Sequence, residues 1–143
     1  MTVRLILEAK GRDVAVIEPS ESVATAVRQL AERRIGALIS VGEDGSLLGI
    51  LSERDVVRLI AEKGADALAS DVGSIMTRQV KTAGEETTVD EAMEIMTRNR
   101  FRHLPVVERG RLVGIVSIGD VVKRRIEDAE REAQDMRSYI TAG

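Results

Sequence analysis

The chain has 143 residues, 21 of them Lys or Arg and 24 Asp or Glu, a net charge of −3 and 43% hydrophobic residues. That is enough for one compact domain or two small halves sharing a core. It is too apolar for a disordered chain and lacks the basic footprint of a dedicated nucleic-acid binder. No Cys and a single His exclude disulfides, thiolate metal sites, cysteine nucleophiles and a multi-histidine metal centre within one chain, and two aromatics (Phe101 and Tyr139) are too few for a base-stacking surface.

Met1 to Lys10 lacks the basic-then-apolar order of a secretory signal. No stretch approaches the roughly 18 apolar residues of a membrane span, so a cytoplasmic protein without membrane contact is expected. Val14 to Ile17 reads as a short strand, stopped by Pro19 and Ser20. Ser22 to Arg33 places Val23, Ala26, Val27 and Leu30 at helical spacing. Ala37–Val41 and Leu47–Leu51 flank the turn Gly42-Glu43-Asp44-Gly45, which predicts a hairpin, and Ser52 opens a helix to about Glu62. Lys63 to Gln79 is a connector with a short helical turn. A strand near Val80 follows, then a helix from Thr88 to about Arg98 behind the capping box Thr88-Val89-Asp90-Glu91. Strands at Leu104–Val107 and Leu112–Val116 make a second hairpin, and Ser117 opens the last helix. That helix runs on to Tyr139 with a thin apolar stripe of Ile126, Ala129 and Ala133, either a solvated end or a dimer contact.

The order repeats because the sequence does. Val23–Arg58 aligns with Val89–Lys123 with one deletion, pairing Arg34 with Arg100, Leu38 with Leu104, Gly49 with Gly114, Ser52 with Ser117 and Asp55 with Asp120. The two copies, 1–74 and 75–143, predict a pseudo-symmetric pair in which each half covers the apolar face of the other. Gly49 and Gly114 are expected to serve the tight strand-to-helix crossing.

Ser52 with Asp55, and Ser117 with Asp120, have the spacing of an N-cap and its third helical residue. That spacing suits a reciprocal capping box. The same helix N-terminus also welcomes phosphate, and a nearby carboxylate accepts ribose hydroxyls. Arg102 and His103 at a strand start read, on sequence alone, first as a surface salt bridge or solvated face and second as an anion site; copy one has Gly36 and Ala37 there, so the two sites should differ. Arg54 either reaches a phosphate or pairs along its helix. No P-loop, nucleophile elbow or metal cluster is present, and a lone His is a weak catalyst, so no enzyme activity is expected.

Leu48-Gly49-Ile50-Leu51-Ser52-Glu53-Arg54-Asp55, Val113-Gly114-Ile115-Val116-Ser117-Ile118-Gly119-Asp120, Arg100 to Val107 and Ile75-Met76-Thr77 together resemble the CBS (cystathionine β-synthase) domain pair, or Bateman module, over nearly the whole chain. The resemblance implies an α/β (α+β) fold of two tandem repeats, each β-α-β-β-α. It implies a regulatory protein that binds an adenosine ligand between the repeats: AMP first, ADP, ATP or NAD(H) next, with S-adenosylmethionine as an alternative. Asp55 and Asp120 would then take ribose, and Ser52 and Ser117 phosphate. Arg102 and His103 would reach phosphate in the shared cleft. Val16, Ile17, Ala37, Leu38, Ile39, Thr82, Ala83, Leu104 and Pro105 would line the adenine pockets, with aliphatic groups alone clamping the base. A homodimer and a separate, unidentified target protein are also implied. Val27, Leu30, Ala31, Met93, Ile95 and Met96 are either dimer contacts or intrachain core. The competing reading is an adaptor whose clefts hold no small molecule.

Overall fold

In the computed structural model, which describes residues 1–142, each copy of the repeat is built round one antiparallel hairpin. Helix α1 (Val3–Lys10) precedes copy one, which holds α2 (Val23–Arg33), β1 (Ala37–Val41), β2 (Leu47–Ser52) and α3 (Glu53–Lys63). A 3-10 turn (Gly64–Ala69) and the short α4 (Val72–Ile75) connect to copy two: α5 (Val89–Asn99), β3 (His103–Glu108), β4 (Arg111–Ser117) and α6 (Ile118–Ala142). The two hairpins match in register. Ala37 pairs with Ser52 as His103 pairs with Ser117, and both ladders slip at the same place, between Ser40 and Val41 and between Val106 and Val107.

The tandem α/β repeat stands, but the leading strand of each copy does not. Val14–Ile17 contributes a single parallel bridge, Val16 to Ile39, and copy two contributes Ala83 to Val106, with Val80 outside it. Each contact is held by two backbone hydrogen bonds, Ile17 N to Ile39 O (2.9 Å) and Ile39 N to Ala15 O (3.0 Å) in copy one. Pro19, which offers no N–H, and the turn at Gly84 end the ladder before it can lengthen. Thr88 forms half of its expected box. Its Oγ1 accepts from Glu91 N at 3.0 Å, and the Glu91 carboxylate takes the Thr88 hydroxyl instead of the backbone N–H.

The halves do not share one core. Ile17, Val23, Leu38, Leu51, Val56 and Met76 belong to one buried cluster; Val3, Ile6, Leu7, Val89, Met96, Leu104 and Val116 belong to another. Helix α1, for which the sequence pattern predicts no element, therefore crosses from the start of copy one to cover copy two. Val3, Ile6 and Leu7 are its buried face, at i, i+3, i+4 spacing, each contributing about 1.5–3 kcal/mol by burial. Val3 N to Thr87 O (2.8 Å) and Val89 N to Met1 O (3.0 Å) stitch it down.

The crossing explains both strand glycines. A Cβ on Gly114 would stand 2.7 Å from Leu7 Cδ2, and one on Gly49 would stand 2.7 Å from Met76 Sδ and 2.8 Å from Thr77 O. Neither has positive φ. Close approach of the segment preceding the opposite copy, not the strand-to-helix crossing, is what requires glycine there. Of the candidate dimer contacts, Leu30 and Met96 are buried in their own cores, Val27, Met93 and Ile95 pack half-buried against them, and Ala31 is exposed.

Candidate functional site

At the end of β2 the chain turns into α3 through a complete capping box. Asp55 N donates to Ser52 Oγ (3.2 Å) and Ser52 N donates to Asp55 Oδ2 (3.0 Å). This fixes the Asp55 carboxylate at the helix start beside free backbone N–H groups. Among the described residues no protein donor reaches Asp55 Oδ1. The hydroxyl proton of Ser52 also stays available to an anion.

This helix start opens into a cavity of about 520 Å³ that joins the two copies. Copy one supplies Gly36, Ile50, Ser52, Glu53, Arg54, Asp55 and Arg58. The segment ahead of α5 supplies Thr77, Gln79, Val80 and Lys81, and the end of α5 with the start of β3 supplies Asn99, Arg100, Phe101, Arg102 and His103. Arg100 is placed by its left-handed conformation (φ 58°) at the end of α5, and its carbonyl accepts from Arg54 Nη1 at 3.3 Å. Gly36 leaves room for the imidazole: a Cβ there would stand 2.9 Å from His103 Cε1. Burial holds His103 below the ordinary imidazole value of 6.5. Lys10 and Arg102 add to that depression, against the opposing pull of Glu53 and Asp120.

The cavity thus carries five basic side chains (Arg54, Arg58, Lys81, Arg100 and Arg102) against two carboxylates, Glu53 and Asp55. Ile50, Val80 and Phe101 give it an apolar wall. Phe101 is the one aromatic side chain among those lining it.

Of the residues singled out from sequence, Ser52, Arg54, Asp55, Arg102 and His103 meet in this cavity. Ser117 and Asp120 do not line it. They form the same capping box, Ser117 N to Asp120 Oδ2 at 2.8 Å and Asp120 N to Ser117 Oγ at 3.1 Å. There, however, Lys10 Nζ sits on Asp120 Oδ2 at 2.7 Å and also donates to Ile115 O at 3.0 Å. Val16 and Ile17 border a separate cavity of about 180 Å³ with Glu18, Glu21, Gln29 and Val41. Ala37, Leu38, Ile39, Ala83, Leu104 and Pro105 are buried, and Thr82 is exposed.

Arg58, Lys81, Asn99, Arg100 and Phe101 line the cavity without being expected there from the motifs. Arg58 was within reach of the sequence, since it lies one turn along α3 from Arg54 and so shares its face. Lys81 and Asn99 gave no such sign.

The family model described as CBS domain matches residues 9–62 and 72–127. The chain is 40% identical over 127 residues to the mitochondrial CBS domain-containing protein CBSX3 of Arabidopsis thaliana, covering 86% of this chain and 62% of that one, so it spans less than two thirds of that relative's length. Among solved structures it is similar to the CBS-domain containing protein ATU1752 of Agrobacterium tumefaciens, with 47% identity, TM-score 0.83, and 87% and 92% of the two chains covered. It is also similar to the CBS domain pair of MJ0100 in complex with 5′-methylthioadenosine and S-adenosyl-L-methionine, with 28% identity, TM-score 0.78 and coverage of 90% and 98%. A third is CBSX2 in complex with AMP, with 26% identity, TM-score 0.73 and coverage of 90% and 98%.

Proposed function

This chain belongs to the CBS domain family, and from that premise we propose that it is a regulatory protein that binds an adenine nucleotide in the cavity between its two repeats. One observation carries the reading: the capped N-terminus of α3, with Ser52 and Asp55, opens into the same cavity as Arg102 and His103 of the other repeat. In this arrangement Asp55 Oδ1 takes ribose hydroxyls, and the helix N-terminus with Ser52 takes phosphate. Arg102 and His103 close on the phosphate from the opposite side, and Phe101, Ile50 and Val80 flank the base.

The charge of the cavity selects among adenosine ligands. Five cations against two carboxylates favour AMP, ADP, ATP or NAD(H) over S-adenosylmethionine, whose sulfonium adds a positive charge. The ligand complexes of MJ0100 and CBSX2 support an adenosine-containing ligand. The Lys10–Asp120 pair supports one nucleotide per chain, since the second carboxylate already holds a cation. Binding shifts the chain between two shapes read by a separate target protein, and no step of bond breaking is needed. No helix among the described residues is long and apolar enough to cross a membrane.

The test is isothermal titration with AMP, ADP, ATP, NAD(H) and S-adenosylmethionine on the parent chain, Asp55→Ala and Asp120→Ala. The expected result is saturable binding of a phosphate-bearing ligand at one site per chain, lost in Asp55→Ala and kept in Asp120→Ala. Loss in Asp120→Ala alone moves the site to the second motif. No binding by a folded, ligand-free chain leaves both motifs as helix caps and supports the adaptor reading.

A further inference from the structure

Helix α6 continues past the second repeat, and every residue from Ala129 through Thr141 is exposed. At about 1.5 Å per residue this is roughly 20 Å of helix in which every described side chain is exposed. Its apolar residues nevertheless keep a strict order. Val122, Ile126, Ala129, Ala133, Met136 and Ile140 follow one another in steps of four, three, four, three and four. That is the 3.5-residue period of a coiled-coil seam, with Ile126, Ala133 and Ile140 at a and Val122, Ala129 and Met136 at d. Ile126, Met136 and Ile140 are 54%, 68% and 71% exposed, whereas Val121, off the seam, is fully buried in its own core. The register of the seam is therefore not explained by packing within the chain.

The charges beside the seam identify what covers it. Lys123, Glu130 and Arg137 fall at e, and Arg125 and Glu132 fall at g. In a parallel, in-register pair each g residue faces the e residue five positions further along the other helix. Arg125 then faces the partner's Glu130, and Glu132 faces the partner's Arg137, both of opposite charge. Laid antiparallel with the seams matched end to end, Glu130 and Glu132 each face their own copies, and Lys123 faces the partner's Arg137. All three are like-charged. Arg125 also touches Asp90 within its chain, so the Glu132–Arg137 contact is the cleaner of the two. A membrane surface fits poorly, because the polar face mixes acids and bases evenly where a lipid-binding helix is biased to Lys and Arg.

We infer that the distal half of α6 is an interaction surface for a second copy of this chain, joined as a parallel two-stranded coiled coil. β-branched Ile at a suits two strands, and the paired alanine layers at Ala129 and Ala133 bring the helices close. The inference does not depend on nucleotide binding.

The chain has no Cys, so one introduced thiol reports geometry directly. Met136→Cys in the full chain is oxidised mildly and run without reductant, beside Gln134→Cys, which lies off the seam. In the parallel pair Met136 faces its own copy, and Met136→Cys cross-links to a dimer at least tenfold faster than Gln134→Cys. In the antiparallel pair two copies of residue 136 stand about 15 Å apart along the axis, and only a mixture of Ile126→Cys with Met136→Cys cross-links. Glu132→Arg lowers the dimer fraction in sedimentation, and Glu132→Arg with Arg137→Glu restores it. Equal cross-linking at 134 and 136, cross-linking only in the mixture, or a dimer fraction indifferent to both charge variants overturns the inference.

Discussion

Lys10 Nζ lies 2.7 Å from Asp120 Oδ2, while Asp55, the matching residue of the other repeat, carries no cation among the described residues. Two motifs with the same spacing and the same capping geometry are thereby made electrostatically different by a residue of α1. Burial pushes the Asp120 carboxyl up, but the hydrogen bonds from Lys10 and the Ser117 amide outweigh it and hold it below the ordinary 3.8. A carboxyl depressed in the folded state stabilises the fold above its unfolded value. It loses that contribution as pH falls through its folded value. Lys10→Met should therefore cost about 0.5–1 kcal/mol at pH 7, modest because both partners are partly exposed. The cost should shrink as the pH falls below about 4. Urea midpoints measured from pH 7 to pH 3 check this; a difference that stays constant with pH means Lys10 acts through packing alone.

Gly36 and His103 meet across the pseudo-twofold, with 2.9 Å between a Gly36 Cβ and the imidazole. The clashing atoms are the far end of a side chain facing a cavity, so the ring can swing away. Gly36→Ala should cost less than about 1 kcal/mol of stability. The displaced ring leaves the cleft, and nucleotide affinity should fall about as far as in His103→Ala, with little further loss in the double variant. Additive losses would show that Gly36 matters for a reason other than housing the ring.

How much was legible follows from what a repeat encodes. The hairpins, the helices that flank them and the capping boxes at Ser52 and Ser117 are local patterns, and the duplication reports each of them twice. Helix α1 is not part of the duplicated segment, and its apolar face is only Val3, Ile6 and Leu7 in a run as short as a strand. Nothing local says that this face lies on copy two, or that Lys10 ends on Asp120. The cavity was half legible. Ser52, Asp55, Arg102 and His103 stand in motifs, but Lys81 and Asn99 enter only because the segment ahead of α5 and the end of α5 meet there in space.

The two strand glycines should differ when filled. At Gly114 the obstacle is the Leu7 side chain, buried but able to shift; at Gly49 it includes the Thr77 carbonyl, fixed by its exchange of hydrogen bonds with Ile50. Gly114→Ala should cost about 1–3 kcal/mol, and Gly49→Ala more, because backbone must move. Thermal unfolding of both variants tests the order, and a reversed order would mean that α1 is held more rigidly than the connector.

Arg34 and Arg100 both end their helices in the left-handed region, at φ 54° and 58°, where a side chain costs about 1 kcal/mol and glycine does not. Arg34 does not line the cleft, whereas Arg100 does. Arg34→Gly should raise stability by about 0.5–1 kcal/mol and leave nucleotide affinity unchanged. Arg100→Gly should raise stability similarly but weaken nucleotide binding several-fold. Denaturation and titration on the same two variants separate the effects, and a ligand-neutral Arg100→Gly would remove that residue from the site.

His103 gives the cleft a pH dependence of stated sign. Burial keeps its imidazole below 6.5, so in the ligand-free chain it is mainly neutral at pH 7, and the stability this neutral form contributes is lost as pH falls through the folded value. A phosphate placed against the ring favours the protonated form and raises its pKa, so binding takes up a proton. Affinity should therefore rise as pH falls from about 8 to about 6.5, before protonation of the phosphate itself, with its second pKa near 6, begins to oppose the gain. His103→Gln removes the titrating group and should flatten affinity across that range. Titration calorimetry in two buffers of different ionisation enthalpy counts the protons directly. Uptake should be above zero at pH 7 in the parent chain and close to zero in His103→Gln. Equal uptake in both would show that the proton goes elsewhere and that His103 does not face the phosphate.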